Sequence, residues 1–224
     1  MPLSGVVFDF DGVIADTEGL HLRAYQDTLA DTPLSVERDA YYERYLGYDD
    51  VGVFTRLAHD QGQPLADGEL TRLIAEKGRR FDALLDTEQP LFPGAADCIR
   101  RLAKMTPLAI ASGALHEEIE RILNDAGLRE HFATIVAADD VVRSKPAPDT
   151  YQKAVRHLSG STPPRWSSYV AVEDSQWGLE AARGAGLKSI AITNSYPAAA
   201  LTGADLVVDH LSDVDHDVLE RLCG

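Results

Sequence analysis

The chain of 224 residues is 45% hydrophobic and carries 21 Lys and Arg against 36 Asp and Glu, a formal net charge of −15. That apolar content suffices for a sizeable core, in one large domain or two unequal ones, while the negative charge argues against nucleic acid or an anionic membrane as partner. Cys98 and Cys223 are too few for a disulfide framework or a structural zinc site. No basic leader with a long apolar run opens the chain and no stretch of about 18 apolar residues occurs, so a soluble cytoplasmic protein is expected.

In chain order, the apolar run Gly5-Val6-Val7-Phe8 reads as a buried parallel strand, and Asp9-Phe10-Asp11-Gly12-Val13 stand at its carboxyl end. Residues i and i+2 of extended chain point to one side, so Asp9 and Asp11 project together, and Gly12 lets the backbone turn away. A calcium-binding loop is excluded, because neither the further acidic ligands nor the closing Glu follows. From about Thr17 to Gln89 the pattern is helical with no convincing strand, the mark of an inserted all-α domain. Leu22, Tyr25 and Leu29 form one helical stripe there, and Thr17, His21, Ala24 and Thr28 a second. Pro90 and Pro93-Gly94 mark the return. Apolar runs then recur at Leu108–Ala111, Thr134–Ala137, Tyr169–Val172, Ser189–Ile192 and Leu206–Val208, alternating with helical pattern. Alternation of that kind predicts an α/β fold with a doubly wound, Rossmann-like parallel sheet. Pro148 is placed at a first helical position, ahead of the stripe Tyr151, Ala154, Val155 and Leu158, and Gly127 and Gly186 end helices just before the next strand. The expected division is a catalytic core of residues 1–16 and 90–224 and a helical cap of residues 17–89.

Three further motifs follow strand ends, the rim where open α/β sheets bind ligands. Ser112-Gly113 offers a hydroxyl and an amide, readable as an anion cradle or as a helix cap. Lys145 is restrained between Ser144 and Pro146-Ala147-Pro148, which makes it a better phosphate ligand than a solvated surface charge. Glu173-Asp174-Ser175 adds two acids, with Ser175 capping the next helix. Acids gathered beside Asp9 and Asp11 repel unless a cation lies among them, and hard oxygen donors without Cys or His clusters point to magnesium.

Asp9-Phe-Asp11-Gly-Val13, Ser112, Lys145-Pro-Ala-Pro148-Asp149 and Glu173-Asp174-Ser175 with Gly178 follow one another in the order of the haloacid dehalogenase superfamily, which the chain resembles over nearly its whole length. The helical insertion resembles that family's α-helical cap, and Asp16-Thr17 with His21 is similar to the branch of β-phosphoglucomutase and sugar-phosphate phosphatases. The resemblance implies that Asp9 is the nucleophile, forming an aspartyl phosphate, and that Asp11 is the general acid and base. It implies Mg2+ held by Asp9, the Asp11 main-chain carbonyl and Asp174, with Glu173 orienting a metal-bound water. Lys145, Ser112 and the Gly113 amide would neutralise the transferring phosphoryl group. Among substrate-binding candidates, His21 is read as touching the leaving group or Asp11, or as packing in its helix, and Thr17 stands beside it at the hinge.

The mutase branch carries cations around the glycine corresponding to Gly47 and behind the second-motif serine, where this chain has Leu46, Asp50 and Leu115. Their absence favours hydrolysis of a small phosphorylated metabolite, such as a sugar phosphate or a phosphoglycolate-like acid, over a β-phosphoglucomutase reaction. A phospho-accepting signalling module is the alternative from another class, but its acceptor Asp follows a middle strand and it has no helical insertion. Lys77, Arg79 and Arg80 are the remaining cap cations considered, the two arginines as helix-surface charges. The sequence leaves oligomeric state open.

Overall fold

The structure is a computed structural model and describes residues 2–46 and 48–224. It divides into two compact units, Thr17–Gln89 and the rest of the chain, which resumes at Pro90.

In the first unit the helices are α1 (Glu18–Leu29), α2 (Arg38–Ala40), which runs into a π-turn at Tyr41–Tyr45, α3 (Asp50–Asp60) and α4 (Glu69–Leu85). Asp49 starts α3 by accepting a hydrogen bond from the Gly52 amide at 2.8 Å, satisfying an amide the first turn would leave unpaired. Leu22, Tyr25 and Leu29 of α1 meet Phe54, Leu57 and Leu73 in one apolar cluster. The second stripe is buried too at Thr17, Ala24 and Thr28, with His21 half-buried. The described residues of this unit contain no strand.

The other unit holds strands β1 (Gly5–Phe8), β2 (Leu108–Ala111), β3 (Phe132–Val136), β4 (Tyr169–Glu173), β5 (Lys188–Ile192) and β6 (Leu206–Val208). They form a single parallel sheet of order β3-β2-β1-β4-β5-β6. Every residue of β1, β2 and β4 is buried, which is why they read as unbroken apolar runs rather than as alternating patterns. Helices α5 (Ala95–Leu102), α6 (His116–Asp125), α7 (Asp149–Ser159), α8 (Gln176–Ala185) and α9 (His216–Cys223) complete the unit. Tyr151, Ala154 and Val155 of α7 and Ala181, Ala182 and Ala185 of α8 pack with Val7, Ala109 and Ala171 of the sheet.

Strand order reverses at β1, whose neighbours are β2 and β4. Such a switch point opens a crevice at the carboxyl ends of the strands. Register places Phe8 opposite both Ile110 and Val172, and the Asp9 amide continues the β1–β4 ladder to the Val172 carbonyl at 2.9 Å. Asp9 therefore stands beside Glu173 at the mouth of the crevice.

Two local expectations shift. Pro148 occupies the N-cap of α7, one position ahead of the first helical residue, where its missing amide costs nothing. Gly127, at φ 61°, follows α6, but a 3-10 turn at Arg129–His131 intervenes before β3. Gly186 caps α8 at φ 83° just ahead of β5, in the left-handed conformation glycine adopts most readily.

Candidate active site

Behind β1 the chain folds into a tight loop in which the Phe10 carbonyl accepts from the amides of Ile14 at 2.8 Å and Ala15 at 3.0 Å. Gly12 sits there at φ 74°, and a Cβ on it would overlap the Asp174 carboxylate and crowd the Ser195 hydroxyl. The backbone approaches the acid as closely as it does because this residue has no side chain. The Asn194 amide donates to the Gly12 carbonyl at 2.8 Å and holds the loop from the far side.

Asp9, Glu173 and Asp174 are all buried and offer carboxylate oxygens within 4.8 Å of one another. Lys145 reaches into this group, with Nζ 2.8 Å from Asp9 Oδ1 and 2.6 Å from Glu173 Oε1. Asp9 Oδ1 also accepts from the Phe10 amide at 2.7 Å. One ammonium thus pairs with two of the three acids. Burial, followed by the Glu173 charge, raises the Asp9 carboxyl well above its usual range in spite of Lys145. Burial also raises Asp174, to about 6, against the Ser195 hydrogen bond that favours its ionised form, with the Glu173 charge adding to the rise. For Lys145, burial opposes the charge, but Asp9 and Glu173 outweigh it and hold the ammonium firmly protonated. The two sides of the Asp9–Lys145 pair differ because the lysine faces two acids, whereas Asp9 faces one cation and two like charges.

The excess of negative charge, the all-oxygen donor set and the close backbone at Gly12 suit a hard divalent cation among these carboxylates. The Asp11 side chain is half-buried and its carboxylate is not a member of the cluster. Glu173, a member of the cluster, also has four protein donors of its own. Its Oε1 accepts from Lys145 and from the Tyr151 hydroxyl, each at 2.6 Å. Its Oε2 accepts from the Asp174 amide at 3.2 Å and from the Ser175 hydroxyl at 3.3 Å. Ser175 caps α8 as the sequence implies, accepting from the Gly178 amide at 3.2 Å.

Ser112 is fully buried one residue beyond β2 and accepts from the Ala114 amide at 3.0 Å. It does not cap α6, whose N-cap is Leu115. Gly113, next to it, is exposed. Thr17 is the buried N-cap residue of α1 without a side-chain capping bond. His21 stacks on Phe81 with ring centroids 4.2 Å apart, and its Nδ1 lies 2.9 Å from Lys77 Nζ. Lys77 is buried and paired with Asp50 at 2.9 Å, and Asp50 accepts from the Tyr25 hydroxyl at 2.5 Å. Arg79 and Arg80 are exposed and both paired with Glu76. Gly47 lies outside the described residues.

Sequence reasoning missed Tyr151, Asn194 and Ser195. The last two directly follow β5, and the strand-end rule that found the other motifs applies to Thr193-Asn194-Ser195 as well. Tyr151 was visible only as an apolar member of its helix stripe.

The family model for haloacid dehalogenase-like hydrolases matches residues 3–186, and the chain belongs to that family. It is 34% identical over 225 residues to the protein CbbY of Cereibacter sphaeroides, covering 95% of this chain and 94% of that protein. It is 31% identical over 188 residues to the fructose-1-phosphate phosphatase YqaB of Escherichia coli, covering 84% of this chain and 95% of the relative. The solved structure of a CbbY mutant from Rhodobacter sphaeroides, in complex with xylulose 1,5-bisphosphate, superposes with a TM-score of 0.80 at 32% identity, over 94% of this chain and 96% of that one.

Proposed function

We propose that this chain is a magnesium-dependent phosphatase of the cytoplasm that hydrolyses the monoester of a small phosphorylated sugar through an aspartyl phosphate. The observation that carries this reading is the buried Asp9 at the sheet's switch point, with Lys145 on its Oδ1 and Asp174 beside it. The kinship with a fructose-1-phosphate phosphatase, and with a protein crystallised around a sugar bisphosphate, supports the substrate class.

Asp9 attacks phosphorus as the bond to the sugar oxygen breaks, and Asp11 gives that oxygen a proton. Asp11 then takes a proton from the water that attacks the aspartyl phosphate, so that phosphate leaves and Asp9 is restored; such proton transfer typically contributes about 10² to 10⁴-fold. Lys145, the Ser112 hydroxyl and the Gly113 amide neutralise charge building on the phosphoryl oxygens. Mg2+, held by Asp9, Asp174 and the Asp11 main-chain carbonyl, supplies electrostatic stabilisation to the same oxygens when bound. Thr17 and His21 are assigned to substrate binding.

Hydrolysis is favoured over a mutase reaction because the cap cations considered for a second phosphate are already matched. Asp50 pairs with the buried Lys77, and the exposed Arg79 and Arg80 share the single carboxylate of Glu76. A panel of phosphorylated metabolites assayed with Mg2+ and with a chelator tests the reading. Many equivalents of phosphate per enzyme are expected with Mg2+ and none in chelator. A single retained phosphoryl group would indicate a signalling module instead. Glucose 6-phosphate forming from β-glucose 1-phosphate and catalytic glucose 1,6-bisphosphate faster than phosphate is released would indicate a mutase.

A further inference from the structure

We propose that Tyr151 is a positioning residue: its buried hydroxyl holds the Glu173 carboxylate so that Lys145 is aimed at Asp9 and the phosphoryl group. The inference rests on the phosphatase reading above and adds to it a residue that none of the sequence motifs contains.

Tyr151 is fully buried in the third position of α7. Its ring belongs to an apolar cluster with Val7, Ala109, Ala111, Val136 and Ala154, where phenylalanine would pack as well and leave no polar group to satisfy. The hydroxyl is directed at Glu173 Oε1, 2.6 Å away, the same oxygen that Lys145 contacts at 2.6 Å. The ring also lies under the lysine, with Nζ 5.1 Å from its centroid, within cation–π range. Tyr151 thus touches both members of the pair.

Glu173 is fixed from the opposite side as well, because a Cβ on Gly178 would overlap its carboxylate. With Lys145, Tyr151, the Asp174 amide and the Ser175 hydroxyl, the acid has a donor at each of about four lone-pair sites. Such a carboxylate serves as a brace. Lys145 divides its charge between Glu173 and Asp9. Donation from Tyr151 satisfies part of the Glu173 demand and leaves more of the ammonium for Asp9. Without that donor, attraction to Glu173 grows and draws the lysine away from the reacting phosphorus.

The test is Tyr151→Phe, which keeps the ring and removes one oxygen. With p-nitrophenyl phosphate and with fructose 1-phosphate at saturating Mg2+, kcat is expected to fall about tenfold or more, the size of a lost hydrogen bond to a charged group. The Mg2+ concentration for half-maximal activity should stay within about twofold, because Asp9 and Asp174 are untouched; inorganic phosphate, titrated calorimetrically with Mg2+, should bind more weakly. In a Glu173→Gln background the same substitution should have little further effect on kcat, since Tyr151 acts through Glu173. A Tyr151→Phe protein that melts lower or fails to fold while its folded fraction keeps the wild-type kcat would overturn the proposal, as would a full tenfold loss in the Glu173→Gln background. Absence of phosphate release by the wild-type enzyme across the substrate panel would overturn the phosphatase reading itself, and the proposal with it.

Discussion

At Asp9 one carboxylate oxygen takes both the Phe10 amide and the Lys145 ammonium, so the proposed nucleophile is held in a single orientation. Asp9→Asn keeps the volume but removes the attacking charge; turnover should drop below a tenth of wild type, and circular dichroism should show an intact fold. Activity above that level, once deamidation is excluded by mass spectrometry, would defeat the covalent mechanism. Gly12→Ala should be as damaging from a residue with no functional group. It forces a left-handed backbone at φ 74° on a residue with a Cβ, costing about 1–2 kcal/mol, and drives that Cβ into Asp174. A raised Mg2+ requirement together with a lower melting temperature is expected, and an unchanged Mg2+ titration would show that Asp174 is not held by this contact. Asp9 and Asp174 stood out because they lie directly behind apolar runs, and Lys145 because two prolines restrain the loop that carries it between β3 and α7. Tyr151 was not, since its hydroxyl finds Glu173 only through the β1–β4 register and the seating of α7 on the sheet, and neither leaves a local mark.

Among the elements, glycines inside helices separate packing from propensity. Gly78 lies mid-way along α4 with nothing within 4 Å of an added Cβ, so Gly78→Ala should stabilise the helical unit by about 0.5–1 kcal/mol, read from urea unfolding. Gly178, in the first turn of α8, has the same intrinsic preference and the opposite surroundings. An added Cβ there overlaps the Glu173 carboxylate, so Gly178→Ala should lower both stability and kcat. Equal effects of the two substitutions would mean that the brace on Glu173 is looser than its contacts indicate. The strands were readable because each is short and apolar, and β1, β2 and β4 are buried along their whole length. The α7 boundary slipped by one residue because Pro148 fits an N-cap as well as a first helical position. The burial of Lys77 left no mark in the sequence, since the Asp50 and Tyr25 partners that allow it come from other helices of the unit.

For the molecule as a whole, three buried acids around one lysine, in a chain of net charge −15, make the cation-free protein sensitive to pH. Asp174 has a folded value of about 6 against an ordinary carboxyl near 3.8, and Asp9 is raised in the same direction. A carboxyl raised on folding binds its proton more tightly in the native state. Through Asp174, stability in chelator therefore declines as pH rises from about 4 through about 6, and Asp9 adds a decline of the same sign. Surface acids that are held low by an arginine, such as Glu76 beside Arg79 and Glu88 beside Arg23, act in the opposite sense, losing stabilisation as pH falls. They contribute equally with and without the metal. Subtracting melts in chelator from melts in Mg2+ at each pH therefore isolates the cluster, where bound Mg2+ offsets the repulsion between ionised acids. The Mg2+-induced rise in melting temperature should be several degrees larger at pH 7.5 than at pH 5.0, and Asp174→Asn should flatten that difference. A rise that is equal at the two values, or larger at pH 5.0, would mean that the cation binds away from Asp9 and Asp174.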